Sequence, residues 1–245
     1  ARFTMLKPVI NRLARLGLGL GLGLGLSAHC KEESPRFTGR TYVVTGGTSG
    51  VGEAVALRLA GEGAAGITIV GRSESRGASV CAKLTALGCK AQFVKADMES
   101  VADVKAIVPS HEHCFNSLDG LVNCAGDTSR GNIRDQTVED WDRLFAVNAR
   151  APFLLTQAAS NLMREKGTHG SIVNIITITS HGGQPYLCGY AASKGACATL
   201  TKVPFGRLVE PSDIAALTAL LLSSESGVMT GSVIDMDQMV IGAYD

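Results

Sequence analysis

No acidic residue precedes Glu32 in this 245-residue chain, although Arg2, Lys7, Arg12, Arg15 and Lys31 do. With those bases set apart, the remainder of the chain holds fewer bases than acids, because Lys+Arg totals 23 and Asp+Glu 22. A net-acidic body lacks the basic face that supplies most of the affinity for a phosphate backbone, which argues against a nucleic-acid partner. No Cys-x-x-Cys pair occurs either. The 7 cysteines are odd in number and widely scattered. A chain long enough to bury a full core needs no disulfide staples, so they read as free thiols in a reducing compartment. The one run of metal-ligand types, His111-Glu112-His113-Cys114, has no second Cys/His pair nearby in sequence to complete a tetrahedron. It reads as a polar loop ahead of a buried strand, and no metal site is expected.

No stable membrane span is expected. Residues 16–30 carry no charge, but a helix needs about 20 apolar residues to cross a bilayer. Residues 16–26 alternate Leu and Gly without exception, and glycine weakens any helix. A basic start followed by an apolar run resembles a signal peptide, yet Ala28-His29-Cys30 is a poor cleavage site. An acid-free, Arg-containing start also suits an organelle transit segment, whereas the simple repeat and the missing initiator Met suit a disordered or mistranslated leader. Residues 1–35 are therefore set apart from one globular domain over 36–245.

From Phe37 onward, strand and helix signals alternate. Short apolar or β-branched runs over 41–45, 67–70, 92–96, 118–123 and 171–177 read as strands. Helical patterns cover 51–62, 75–87, 100–108, 139–147, 151–166 and 190–202. Such alternation predicts an α/β fold, a doubly wound parallel sheet with helices on both faces. Ligands of that architecture bind outside the carboxyl ends of its strands.

Two motifs carry chemistry. Thr45-Gly46-Gly47-Thr48-Ser49-Gly50-Val51-Gly52 follows the first strand and opens the first helix. Glycines there allow a tight turn, and a helix N-terminus offers free N–H groups to a pyrophosphate. The second motif is Tyr190-Ala191-Ala192-Ser193-Lys194. Residues four apart share a helix face, so the Lys194 ammonium can sit beside the Tyr190 phenol. A neighbouring positive charge favours phenolate, and a tyrosine so tuned can move a proton to or from an alcohol oxygen.

Together these motifs resemble the short-chain dehydrogenase/reductase family, from Phe37 to nearly the end of the chain. The resemblance implies a Rossmann-type single domain. Gly46, Thr48, Ser49, Gly50, Val51 and Gly52 then form the cofactor loop, and Asp97 beside Met98 matches an adenine-contacting acid. Asn123-Cys124-Ala125-Gly126 matches the Asn-Asn-Ala-Gly signature with Cys in the second place, so that Asn123, Ala125 and Gly126 join the cofactor set. Asn148 falls on the catalytic asparagine that anchors a water, Tyr190 on the catalytic base and Lys194 on the ribose-binding lysine. The place of the usual serine is taken by Thr177, which keeps the hydroxyl with a stiffer χ1; Ser180 lies three residues further on. The implied reaction is hydride transfer between a nicotinamide cofactor and a small carbonyl or secondary-alcohol substrate.

No acid stands at the end of the second strand, where one would accept from a ribose 2′-hydroxyl. Arg72 is there instead, and a guanidinium can bind phosphate bidentately, which favours NADP(H) over NAD(H). His181 reads as a turn residue beside Gly182 and Gly183 rather than a substrate contact. Ser180–Pro185 and Asp237-Gln238-Met239 resemble a subgroup of bacterial-type reductases. After Lys202 the sequence passes straight to Val203-Pro204-Phe205-Gly206. Roughly 50 residues of the family pattern are missing there, an amount that fits a crossover unit carrying the sixth strand and a substrate lid. A last helix over 212–222 and a closing strand over 232–237 remain, the latter expected to slide in beside the fifth strand. The alternative expectation is a non-catalytic NADP(H)-binding protein or a remnant of a reductase. Family members pair as dimers or tetramers through the helices ending here near Lys166 and Lys202. The need for an intracellular cofactor pool makes the cytoplasm the expected location, with an organelle as the alternative.

Overall fold

The computed structural model describes residues 35–201. The readings of the leader, of the junction at 202/203, of the helix over 212–222 and of the strand over 232–237 lie outside those residues. Five strands, β1 (Thr41–Thr45), β2 (Gly66–Gly71), β3 (Lys90–Lys95), β4 (Gly120–Asn123) and β5 (Ser171–Asn174), form one parallel sheet in the order β3-β2-β1-β4-β5. The connecting helices are α1 (Gly50–Gly61), α2 (Glu74–Ala86), α3 (Val101–Phe115), α4 (Val138–Phe145), α5 (Ala151–Glu165) and α6 (Cys188–Thr201). This is the expected doubly wound α/β arrangement.

Strands covered on both faces need apolar side chains at consecutive positions, and β1, Thr-Tyr-Val-Val-Thr, is buried throughout. Val43 points to one core, with Ile107 and Val104 of α3 and Leu155, Ala159 and Leu162 of α5. Val44 points to the other, with Leu59 of α1 and Val80 and Leu84 of α2. The strand order reverses direction between β1 and β4, and the crevice at that switch point opens at Thr45 and Asn123.

Three elements differ from their sequence patterns. Helix α3 continues to Phe115 through Pro109, absorbing His111-Glu112-His113-Cys114, which read as a loop. Proline costs a helix about 3 kcal/mol, but Ile107, Val108 and His111 are all buried against the sheet and hold the last turns in place. The helices read over 139–147 and 151–166 form one helical run, joined by a π segment, Ala146–Arg150. Strand β5 stops at Asn174, because a 3-10 turn, Ile178–Ser180, capped by Thr177, turns the chain out of the sheet.

His111 answers a polar residue in a buried strand. Thr68 of β2 is fully buried, and its hydroxyl donates to Gln92 Oε1 at 2.8 Å. With that hydrogen used, Thr68 Oγ1 accepts from His111 Nδ1 at 2.8 Å, which fixes the tautomer. Burial lowers the His111 pKa to about 4, opposed only in part by the Ser117 backbone and the Asp119 charge. An unfolded histidine titrates near 6.5, so the unfolded chain binds a proton that the folded chain refuses. Stability is therefore full above that value and is lost as pH falls toward 4, by about 3 kcal/mol. Urea midpoints at neutral and acid pH should show this slope, and His111→Leu should flatten it.

Candidate active site

Strand β1 delivers the glycine loop to the switch point. Thr45 Oγ1 accepts from the N–H groups of Cys124 (3.0 Å) and Ala125 (3.1 Å), tying the exit of β4 to the end of β1. Gly46 turns the loop with φ +67°, and a Cβ there would lie 2.9 Å from Ala125 N. A Cβ at Gly52 would run into the Gly46 carbonyl. The loop thus leads into α1 with the bare backbone closely packed. Ser49 caps α1 without a side-chain hydrogen bond, so its exposed hydroxyl leaves the first-turn N–H groups uncapped.

Gly46, Thr48, Ser49, Arg72, Asp97, Met98, Ala125 and Gly126 line a single cavity of about 630 Å³. Gly50 and Val51 lie at the exposed start of α1, while Gly52 is packed behind the loop. Asn123 is buried and does not line the cavity; its Nδ2 donates to Asn174 Oδ1 at 2.8 Å, across the β4–β5 pair. Asp97 Oδ1 accepts from Glu99 N at 3.0 Å. Arg76, Glu99, Asp127, Ser129 and Arg143, which no sequence motif singles out, line the same cavity. Of these, Arg76 is accessible to sequence reasoning, as it follows Arg72 by four residues in the first turn of α2. Neither the Arg72 nor the Arg76 guanidinium forms an ion pair among the described residues.

Asn148 lies in the π segment, fully buried. Its Oδ1 accepts from Asp127 N (3.0 Å), and its Nδ2 donates to Asp127 O (2.8 Å) and Ser193 Oγ (3.1 Å). Ser193 Oγ in turn donates to the Tyr190 carbonyl at 2.9 Å, linking the asparagine to α6. Tyr190 and Lys194 share one face of that helix. Lys194 is 5% exposed, and its ammonium donates to Ile175 O at 2.8 Å rather than to the phenol. Burial pushes the Lys194 pKa down, against the Cys197 and Cys124 thiols, which push it up. The Tyr190 hydroxyl has no protein partner among the described residues. A Cβ at Gly126 would sit 3.3 Å from Asn148 Oδ1 and 3.6 Å from Lys194 Nζ, so bare backbone brings the cavity wall to both groups.

Thr177 Oγ1 accepts from Thr179 N and Thr179 Oγ1, both at 3.4 Å, which leaves its own hydrogen uncommitted. Ser180 spends its hydrogen on the Thr177 carbonyl. Of the two hydroxyls, Thr177 is the one able to donate to a ligand. His181 lines a second cavity of about 710 Å³, with Tyr186, Cys188, Ala191, Ala192 and Gly195. That cavity opens on the α6 face turned away from Tyr190 and Lys194. Asn148, Thr177, Tyr190 and Lys194 line neither of the two cavities, and Gly126 is the wall residue that brings the first of them close to Asn148 and Lys194.

The sequence model of the short chain dehydrogenase family matches residues 40–211. The chain belongs to that family. Among curated members, it is 36% identical over 168 residues to the 3beta-hydroxysteroid dehydrogenase of Mediterraneibacter gnavus, covering 68% of this chain and 60% of that protein. It is 29% identical over 252 residues to 2-(S)-hydroxypropyl-CoM dehydrogenase 3 of Xanthobacter autotrophicus, covering 83% of this chain and 97% of that one. Among solved structures, NAD+-bound xylitol dehydrogenase superposes with a TM-score of 0.65 at 30% identity, over 68% of this chain and 64% of that one. The family binds nicotinamide cofactors, and its cofactor fits the cradle between β1 and β4, where glycines stand at points that a Cβ would fill. Among the described residues no helix is long and apolar enough to cross a membrane.

Proposed function

We propose that this chain is an NADP(H)-dependent oxidoreductase acting on a small carbonyl compound or secondary alcohol. The observation that carries the reading is the linked set Asp127–Asn148–Ser193–Tyr190 with Lys194, set at the edge of a glycine-lined cradle. The cofactor would be held by the loop from Gly46 to Gly52, by Asp97 and Met98, and by Ala125 and Gly126. When bound, it supplies or accepts the hydride.

The chain's own residues handle the proton. Tyr190 donates its hydroxyl hydrogen to the substrate oxygen in reduction and takes it back in oxidation. Lys194, a buried cation one helical turn away, stabilises the negative charge left on the phenolic oxygen. Thr177 donates its free hydrogen to the same substrate oxygen and orients the carbonyl. Asn148, fixed at both ends of its amide, holds its segment of the proton path in one geometry.

Arg72 and Arg76 support the choice of NADP(H). Two unpaired guanidinium groups on one rim of the cavity suit a 2′-phosphate, to which arginine binds in bidentate fashion. The double variant Arg72→Ala/Arg76→Ala is expected to weaken NADPH binding by about 10- to 100-fold while leaving NADH binding unchanged. Fluorescence titration of both cofactors measures this. Equal loss for both would overturn the assignment to the 2′-phosphate.

The match to the Xanthobacter relative supports an internal gap. It runs over 252 positions, more than the 245 residues of this chain, yet draws on only 83% of them. Part of that relative thus has no counterpart in this chain, consistent with the loss of a crossover unit and lid after Lys202. Without a lid, water reaches the reacting atoms more easily, which lowers the rate that the site can support. The direct test is NADPH oxidation by the full chain against a panel of ketones and aldehydes. Tight NADPH binding with no turnover on any of them would refute the oxidoreductase reading.

A further inference from the structure

We propose that Arg143 is a positioning residue for the reacting site: it holds Asp127, and Asp127 holds Asn148. Arg143 Nε donates to Asp127 Oδ2 at 2.9 Å, and its Nη2 donates to Ser129 Oγ at 3.1 Å and to Asp140 Oδ1 at 2.5 Å. Asp127 Oδ1 also accepts from the Ser129 N–H (2.8 Å) and hydroxyl (2.6 Å). The carboxylate is thereby fixed from two sides, by α4 and by its own loop.

The backbone of the same residue grips both ends of the Asn148 amide, through Asp127 N and Asp127 O. An asparagine amide held in this way has one orientation only, with Nδ2 facing Ser193 and the helix of Tyr190. Asn148 lies five residues beyond Arg143, across the change from α4 to the π segment. Among the described hydrogen bonds none joins the two side chains, and the connection runs through space by way of Asp127. Glu99, 4.0 Å from the Arg143 Nε, adds a third carboxylate to the cluster. With three acids around it, the guanidinium neutralises charge that would otherwise repel across the cluster.

The groups facing the Asp127 carboxylate are Arg143 from α4 and Ser129 from its own loop, with Asp140 and Glu99 reaching the same guanidinium. Burial pushes the Asp127 pKa up, but the Ser129 and Arg143 hydrogen bonds outweigh it and hold it below the ordinary carboxylate range. Loss of Arg143 removes part of that support, so the carboxyl protonates at higher pH and the loop loosens from the acid side first.

The test compares the full-length chain with Arg143→Ala and Arg143→Lys, read in two ways. Hydrogen exchange at the Asp127 amide and the Asn148 side-chain amide, followed by NMR, should quicken by at least about tenfold in Arg143→Ala, while the amides of β1 to β3 stay protected. The turnover readout rests on the oxidoreductase reading above. With substrate and NADPH, kcat should fall roughly tenfold, more than KM rises, and the acid limb of the kcat profile should move to higher pH. Arg143→Lys, which keeps a charge against Asp127, should recover part of both effects and remains available if Arg143→Ala fails to fold. Unchanged exchange at the two amides overturns the proposal even if the parent shows no turnover, a result that would count against the oxidoreductase reading alone. Quickened exchange with unchanged kcat in an active parent overturns it too, because the grip would then be structural only.

Discussion

Tyr190→Phe is expected to lower NADPH-linked carbonyl reduction by about 10²- to 10⁴-fold, the usual worth of a positioned proton donor. The substitution removes one oxygen and keeps the ring, so packing on α6 is preserved. The Tyr190 hydroxyl makes no bond to the protein among the described residues, so no buried partner is orphaned and thermal stability should be unchanged. Steady-state rates over a carbonyl panel, paired with NADPH titration, separate the outcomes. A large fall in kcat with cofactor affinity retained is the expected result. Rates equal to those of the parent would show that the proton reaches the substrate oxygen by another route, and Tyr190 would lose its role as the proton donor.

Gly46→Ala should disable cofactor binding itself. At φ +67° an alanine carries left-handed strain of roughly 1–2 kcal/mol. Its Cβ would also stand 2.9 Å from Ala125 N and 3.0 Å from Ala125 Cα, both backbone atoms that no rotamer change can move aside. Relief requires the exit of β4 to shift, and that exit is pinned by the two N–H groups donating to Thr45 Oγ1. The expected effect is a loss of about 1–3 kcal/mol of stability and at least a tenfold weaker affinity for NADPH. Gly50→Ala is the matched control. Gly50 also has positive φ, +56°, but a Cβ there meets nothing within 4 Å. It should show the strain without the displaced backbone, and so a smaller loss of binding. Denaturant midpoints and fluorescence titration of both variants measure the two contributions, and equal binding losses would mean that contact with Ala125 plays no part.

Much of the fold is legible in one dimension. Strands β1, β2 and β4 are buried on both faces and announce themselves as short runs of Val, Ile and Leu between turn residues. The glycine loop can be located because it lies between the first such run and the first helical pattern. Tyr190 and Lys194 can be paired because four residues make about one turn of helix. Arg72 stands out because an acid is missing from its place.

Other features depend on contacts between segments far apart in sequence. His111 has the sequence surroundings of a polar loop after Pro109, and only the buried Thr68 on β2, 43 residues away, explains why the helix continues and the imidazole turns inward. Nothing local to Arg143 points to Asp127, 16 residues earlier, or from Asp127 to Asn148, 21 residues later. Ser193 reads as filler between Tyr190 and Lys194, yet its hydroxyl stands between Asn148 and the Tyr190 carbonyl. The sequence by itself determined the class of sheet, the place of the glycine loop at the end of the first strand and the pairing of Tyr190 with Lys194 on one helix face, because periodicity and short spacings are set by the geometry of single helices and strands. The tertiary structure decided the partner of the Lys194 ammonium, which of the Thr177 and Ser180 hydroxyls keeps a free hydrogen, and the chain of bonds that fixes Asn148. Those depend on how separate elements pack, and side-chain hydrogen bonds between distant segments follow no sequence period.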